Sequence, residues 1–252
     1  MKIEIGESLA LSYLKHVKKC VIYQNNWKIS SRWRESDKGN NNKNITLEEK
    51  IFNEIKTRFN GVFKSSFNQT IKQAEIDVLG MDKEGKIYAI DIAYHEKGLS
   101  YDKDNNVTKN KMIKKLLRSY LILLSYFPDR DYEIIFASPK VREATESIII
   151  QSFNDLNIFF NNNVELQNKV KLKNNVEFKY ISNEEFRKEI LDKTIKASEK
   201  DSDTNELFMR SYKLLELFDR VSNIAKEEID LDKEIPPTAS LVLEFKPSNK
   251  KN

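Results

Sequence analysis

The stretch "QAEIDVLGMDKEGKIYAIDIAYHEKG", residues 73–98, decides the fold of this chain. Apolar residues alternate with other residues on both sides of a short polar segment, "MDKEG". This pattern predicts two strands, over 74–80 and 86–94, that are joined by a tight turn and are therefore antiparallel. Gly85 is the expected left-handed residue of the turn.

The acidic side chains of these two strands are placed to meet. Because side chains alternate across a strand, Glu75 and Asp77 share a face of the first strand. Asp91 shares a face of the second strand with Ala89 and Ala93. If the two faces coincide, Asp77 and Asp91 lie across from one another, and two ionised carboxylates side by side are costly without a cation between them. A hard divalent metal ion would relieve that repulsion.

Acidic residues that alternate along a strand also have a simpler interpretation. They often mark the side of an antiparallel sheet that faces solvent. Two observations favour a functional site instead. Small apolar neighbours such as Ala89 and Ala93 are unusual on a wet face, and aspartate is depleted in strands unless something uses it.

Composition restricts the kind of site that the chain can build. Its 252 residues are 33% charged and 10% aromatic with a net charge of +4, which indicates a folded, soluble protein for which nucleic-acid binding is permitted but not required. Cys20 is the only cysteine, and His16 and His95 are the only histidines, so a disulfide framework and a cysteine- or histidine-rich metal site are excluded within one chain. A metal ion would be held mainly by carboxylates, which suits Mg²⁺ or Mn²⁺.

We find no signal-peptide core and no apolar run of membrane-spanning length, and expect a cytoplasmic protein with no membrane partner.

The remaining pattern predicts an α/β protein. The predicted helices cover 7–17, 46–59, 108–126, 141–162, 183–191 and 204–228, and the further predicted strands cover 18–27, 132–138, 175–182 and 240–245. The segment 61–71 is ambiguous between strand and loop. This order of elements indicates a central mixed sheet flanked by helices.

The helix that follows the acidic strands carries cations and no acid. Four of the cations form an i, i+3, i+4, i+7 row and so share one face of the helix: Lys111, Lys114, Lys115 and Arg118. Like charges at this spacing repel, and nucleic-acid phosphates would relieve the repulsion. A solvated helix face is the alternative, but the position directly after the acidic strands favours phosphate contacts.

In these features the sequence resembles the PD-(D/E)xK, or restriction-endonuclease-like, nuclease superfamily. The matching stretches are a helix that opens with Gly6 and Glu7, a strand that ends in "QNNW", the "EID" motif and then "IYAIDIA". The resemblance implies a restriction-endonuclease-like fold with a core of helix, three strands, helix and strand. It would make the chain one domain, with these parts: core 6–29 and 73–182, helical insertion 30–72, and C-terminal helical extension 183–252.

The same resemblance implies hydrolysis of DNA phosphodiester bonds with Mg²⁺ or Mn²⁺ as the cofactor. Carried over by position, Glu7, Asp77 and Asp91 would be the metal ligands. Ile92 would supply a backbone carbonyl, and Glu75 would be a neighbouring catalytic carboxylate.

One position departs from the family. The family carries a lysine two residues after the last carboxylate, and this chain has Ala93 there. Lys114 or Lys115 is the best replacement, because the first half of the helix should pack near the strand ends; Lys97 is another candidate. His95 could act instead as a general base, or could make an ordinary hydrogen bond at the strand end. A third interpretation is a site that binds without cutting.

The expected function is therefore a metal-dependent DNA endonuclease, as used in restriction or phage defence. The first alternative is a catalytically inactive subunit of nuclease fold that binds DNA or joins a complex. The second is a protein-interaction module that uses the C-terminal helices. Cutting both strands needs two sites, which makes a homodimer a further expectation, and the choice between DNA and RNA stays open.

Overall fold

The computed structural model describes residues 4–30, 46–95, 98–99, 104–162, 175–199 and 205–217, which build an α/β structure around a five-stranded sheet. The strands are β1 (Ile22–Lys28), β2 (Glu75–Met81), β3 (Ile87–Ile92), β4 (Tyr132–Ser138) and β5 (Val176–Ser182). They lie in the order β1-β2-β3-β4-β5; β2 runs antiparallel to both of its neighbours, β1 and β3, whereas β4 runs parallel to both β3 and β5. The predicted mixed sheet flanked by helices is confirmed.

Helices precede, interrupt and follow these strands. They are α1 (Ile5–Ser12), α2 (Leu47–Arg58), α3 (Phe67–Lys72), α4 (Asn105–Tyr126), α5 (Glu143–Asn162), α6 (Asn183–Phe186), α7 (Lys193–Ser198) and α8 (207–217), with π-helical turns at Tyr13–Val17 and Arg187–Asp192. Side-chain caps explain several starts. Thr46 accepts a hydrogen bond from the Glu49 amide at 3.3 Å, as its sequence position predicted, and Asp104 accepts one from the Asn106 amide at 2.8 Å.

Helices cover both faces of the sheet, which decides what can reach the acidic residues. On one face α4 packs against β3 and β4 in a cluster that also contains α2, α3 and α5 and includes Met112, Leu116, Ala89, Ala93, Ile134 and Phe136. On the other face α1 packs against β2, β3 and β4 in a cluster that includes Leu9, Ala10, Leu14, Val78, Ile90 and Ile135. Side chains of α1 and α4 therefore approach the sheet from opposite sides.

The β2–β3 hairpin has the expected turn. Gly85 has φ +83°, and its amide donates to the Asp82 carbonyl at 3.1 Å. Strand β3 is covered on both faces, and Asp91 is only 1% exposed. The interpretation of the Asp91 face as a solvent-facing side of the sheet is therefore wrong.

Some elements differ from the sequence prediction. The ambiguous segment 61–71 contains helix α3, which begins after Ser66 because the Ser66 hydroxyl accepts the Gln69 amide. Helix α4 begins at Asn105, three residues earlier than predicted. The predicted strand 240–245 lies outside the described residues.

The chain divides into two compact units, residues 1–210 and 211–252, with the boundary inside the predicted C-terminal extension. Of the second unit the structure describes 211–217, which are helical. None of the helices in the described parts of the chain combines the length and apolar character that a membrane crossing needs.

Candidate active site

Two aspartates and one lysine meet on the α4 face of the sheet. The ammonium nitrogen of Lys115, on α4, lies 3.7 Å from Oδ2 of Asp77 on β2 and 3.6 Å from Oδ1 of Asp91 on β3. The hairpin register places the two strands side by side, so the alternation of side chains brings both carboxylates to the same face. We call Asp77 and Asp91 the acid pair.

Asp91 is the more deeply buried member of the acid pair. Burial raises the pKa of its carboxyl well above the usual range, the charge of Lys115 opposes this, and the charge of Asp77 adds to it. Oδ2 accepts a hydrogen bond from the Ser119 hydroxyl at 3.1 Å, one helical turn after Lys115. Oδ1 is buried and has no hydrogen-bond partner among the described residues.

Asp77 is held by the backbone of the neighbouring strand. Its Oδ2 accepts a hydrogen bond from the Ile92 amide at 3.0 Å. Burial raises the pKa of Asp77, and Lys115 and the Ile92 amide act in the opposite direction. Glu75, two residues earlier on β2, also raises the pKa of Asp77 through its charge. Glu75 itself forms an ion pair with Lys28 of β1 at 3.0 Å, so it lies beside the acid pair with a partner of its own.

Glu7, the expected third metal ligand, lies on α1 and contacts β1. Its Oε2 accepts a hydrogen bond from Asn26 Nδ2 at 3.0 Å. Within the described part of the chain, no three His, Cys, Asp or Glu side chains lie close enough together to hold a metal ion. The structure thus brings together two of the three expected carboxylates.

The cations of α4 separate into two groups. Lys115 contacts the acid pair, whereas Lys114 lies in range of Arg118 and of Lys64, a residue of the loop between α2 and α3. Lys111 is exposed. Lys114 and Lys115 were both proposed to replace the family's lysine, and Lys115 is the one that contacts the acid pair.

His95 lies just beyond the end of β3 and is exposed. Its backbone carbonyl accepts a hydrogen bond from the Gly98 amide at 2.9 Å. Lys97 lies outside the described residues. The catalytic role of His95 stays a prediction.

The charges of the site suit a divalent cation. When both carboxylates are ionised, they and the Lys115 ammonium carry a net charge of −1, and the buried Oδ1 of Asp91 accepts no hydrogen bond within the described chain, with the Lys115 ammonium 3.6 Å away. Mg²⁺ commonly binds through one or two carboxylates and keeps several waters, so the acid pair suffices as a protein ligand set. The residues present fit the expected metal in donor type and in charge.

Sequence reasoning missed two polar contacts of the site. Ser119 is the first, and its position four residues after Lys115 on the same helix was the available signal. Gln73 is the second: its Oε1 accepts a hydrogen bond from Arg118 Nη2 at 2.9 Å, which joins the start of β2 to α4. No local sequence pattern predicts a side-chain contact such as this one between two separate elements.

The chain was also compared with known proteins. No protein-family model, no curated protein and no solved structure matches it. The functional conclusion therefore depends on the geometry of the acid pair and its surroundings.

Proposed function

We propose that this protein is a metal-dependent nuclease that hydrolyses phosphodiester bonds of DNA, on a restriction-endonuclease-like fold. The observation that carries the proposal is the acid pair on two adjacent strands, with Lys115 within 3.7 Å of both carboxylates. Apart from α2 and α3, which lie in the insertion between β1 and β2, the order from α1 to β4 is helix, three strands, helix and strand; this supports the proposal, since it is the core that the resemblance implies. Lys115 would then do the work of the family's lysine, whose position in this chain is occupied by Ala93.

Asp77 and Asp91 would hold the metal ion, and Ile92, whose amide already contacts Asp77, would supply its carbonyl. When bound, Mg²⁺ or Mn²⁺ polarises the scissile phosphate and lowers the pKa of attacking water. The Ile92 amide and the Ser119 hydroxyl fix the orientation of the two carboxylates. Lys115 places a positive charge beside them, where it stabilises the charge that develops on the phosphate and orients the attacking water.

The test is cleavage of plasmid and single-stranded DNA in Mg²⁺ or Mn²⁺ by the wild type, Asp77→Asn and Asp91→Asn. These substitutions keep the shape of each side chain and remove its charge. Glu84→Gln is the matched control, because Glu84 is an exposed acid in the turn at the far end of the hairpin. We expect cleavage by the wild type and the control and none by the two aspartate variants. Equal cleavage by Asp91→Asn would refute the proposed site.

One observation favours a second candidate function, a catalytically inactive subunit that binds DNA. Lys115 already gives both carboxylates a positive partner, and the described chain adds no third carboxylate to the pair. In that case the ion pairs among Lys115, Asp77 and Asp91 would stabilise the fold in place of a metal ion. DNA binding by a wild type that binds no Mg²⁺ and cleaves neither substrate would select this candidate.

A further inference from the structure

Three cations from two separate parts of the chain lie near one another, and one of them, Arg118, is next in sequence to Ser119, which contacts the acid pair. Lys114 and Arg118 are one helical turn apart on α4, and Lys64 belongs to the loop between α2 and α3, two helices that both pack against α4. No acidic side chain of the described residues forms an ion pair with any of the three, although four other described lysines pair with Glu133 or Glu75. We call Lys64, Lys114 and Arg118 the cation cluster.

The loop that carries Lys64 is held in place. Phe63 is 3% exposed and packs against Phe52 of α2 with ring centroids 5.3 Å apart. The hydroxyl groups of Ser65 and Thr70 lie 2.8 Å apart and tie the loop to α3. The side chain of Lys64 is exposed between these anchors, so its ammonium is available on a fixed backbone.

The cation cluster is electrostatically unfavourable as it stands. Burial lowers the pKa of Lys114, and the charges of Arg118 and Lys64 lower it further. Burial also lowers the pKa of Arg118, whose Nε is buried without a hydrogen-bond partner in the described chain. An anion with several acceptor oxygens that binds these three cations would relieve their mutual repulsion and so stabilise the folded protein.

The cluster adjoins the acid pair. Arg118 precedes Ser119, whose hydroxyl donates to Asp91 at 3.1 Å, and the charge of Asp91 raises the pKa of the Arg118 guanidinium. Gln73, which accepts the hydrogen bond from Arg118, lies two residues before Glu75 at the start of β2. A phosphate bound by the cluster would therefore be a neighbour of a phosphate at the acid pair, as successive phosphates of one strand are.

We propose that Lys64, Lys114 and Arg118 form a phosphate-binding site for the nucleic-acid backbone next to the scissile phosphate. The segment before β2, an insertion relative to the resembled family, then belongs to the substrate-binding surface. This inference rests on the proposed function, since it assigns a second phosphate of the same substrate. Arg118 would donate to the phosphate through its guanidinium, while Gln73 holds the side chain in position.

The test measures binding rather than cleavage. A short fluorescein-labelled DNA duplex and the corresponding single strand are titrated with protein in EDTA at several salt concentrations, with fluorescence anisotropy as the readout. The variants are Lys64→Gln, Lys114→Gln and Arg118→Gln. Lys83→Gln is the control, because Lys83 is an exposed lysine in the hairpin turn at the opposite end of β2 and β3. Circular dichroism checks that each variant is folded, and Lys64→Gln keeps the test valid should Arg118→Gln fail this check.

We expect each cluster variant to bind severalfold more weakly and to reduce the slope of log K against log salt by about one. The control should match the wild type in both. Wild-type affinity and slope in Lys64→Gln would overturn the inference, because the insertion would then make no phosphate contact. No DNA binding by the wild type would overturn it as well. Cluster-dependent binding without cleavage in Mg²⁺ would support the phosphate site while refuting the proposed nuclease activity.

Discussion

The ammonium nitrogen of Lys115 lies 3.6 Å from Oδ1 of Asp91, so a helix lysine stands beside the strand carboxylate that Ala93 follows two residues later. The helix supplies the positive charge that the strand lacks. This arrangement keeps the strand position small and apolar: Ala93 is 5% exposed and packs in the cluster beneath α4. The positive charge beside the acid pair therefore comes from a helix rather than from the strand that carries Asp91.

If Lys115 has this role, neutralising it should have a much larger effect on catalysis than neutralising the residue next to it. We expect Lys115→Gln to lower kcat for DNA cleavage about 100-fold or more, the usual loss when one group that stabilises transition-state charge is removed. Lys114→Gln should mainly raise KM, because Lys114 lies with Lys64 and Arg118 rather than with the acids. Single-turnover cleavage rates of the two variants at saturating protein make the comparison. Similar rates for both variants would contradict the assignment.

The sequence predicted the acid pair because its signal is local. Alternation along a hairpin determines which side chains share a face, and the turn at Gly85 determines the pairing. The choice between Lys114 and Lys115 was not local. Adjacent helix positions point about 100° apart, so the answer depends on how α4 lies against the sheet, which its own residues do not specify.

Glu7 and helix α3 are two further cases. Glu7 was placed with the acids by family resemblance; the structure records a hydrogen bond from Asn26 of β1 to its carboxylate, and its role as a metal ligand stays a prediction. Helix α3 has only six residues, too few for an apolar period to emerge. Its start could have been predicted from Ser66 followed by Gln69, a capping-box spacing.

Asp91 should make stability fall with rising pH. Burial raises its pKa to about 7, whereas an unfolded aspartate has a pKa of about 3.9. The folded state therefore holds a proton more tightly, and the stability from this group is complete below about pH 4 and is lost as pH rises through about 7. In EDTA the Tm of wild type should therefore fall relative to the Tm of Asp91→Asn as pH rises over this range. Mg²⁺ should raise the wild-type Tm most at the alkaline end and leave that of Asp91→Asn unchanged; the same Mg²⁺ shift in both proteins would contradict this.

Ser119 should act on catalysis through Asp91. Its hydroxyl donates to the ionised carboxylate, so Ser119→Ala should raise the pKa of Asp91 and move the rise of the cleavage rate to higher pH. Ser125→Ala is the matched control, since Ser125 lies on the same helix and donates to the Leu121 carbonyl at 2.9 Å. The measurement is the pH profile of kcat/KM for both variants. A uniform loss of rate without a shift of the profile would assign Ser119 a structural role only.

Glu133 offers a test of the fold that does not involve the proposed site. This carboxylate on β4 is 2% exposed, and three lysines surround it: Lys18 at 2.7 Å, Lys86 at 2.8 Å and Lys179 at 3.2 Å. Burial alone would raise its pKa, but hydrogen bonds from Lys18 and Lys86, with the charges of Lys18 and Lys179, lower it to about 2. The carboxylate thus stabilises the folded state as an ion.

Glu133→Gln should lower the free energy of unfolding at neutral pH by about 3 kcal/mol, the loss typical of breaking a buried ion pair. Glu177→Gln, which removes an exposed partner of Lys179 on β5, should cost less than about 1 kcal/mol. Because the pKa of Glu133 is lowered, its contribution is complete above about pH 4.3 and is lost as pH falls through about 2. Urea unfolding at neutral pH and at about pH 3 should therefore show that wild type and Glu133→Gln differ less in free energy of unfolding in acid. A gap that stays constant or widens would mean that packing, rather than the charge of Glu133, stabilises this part of the sheet.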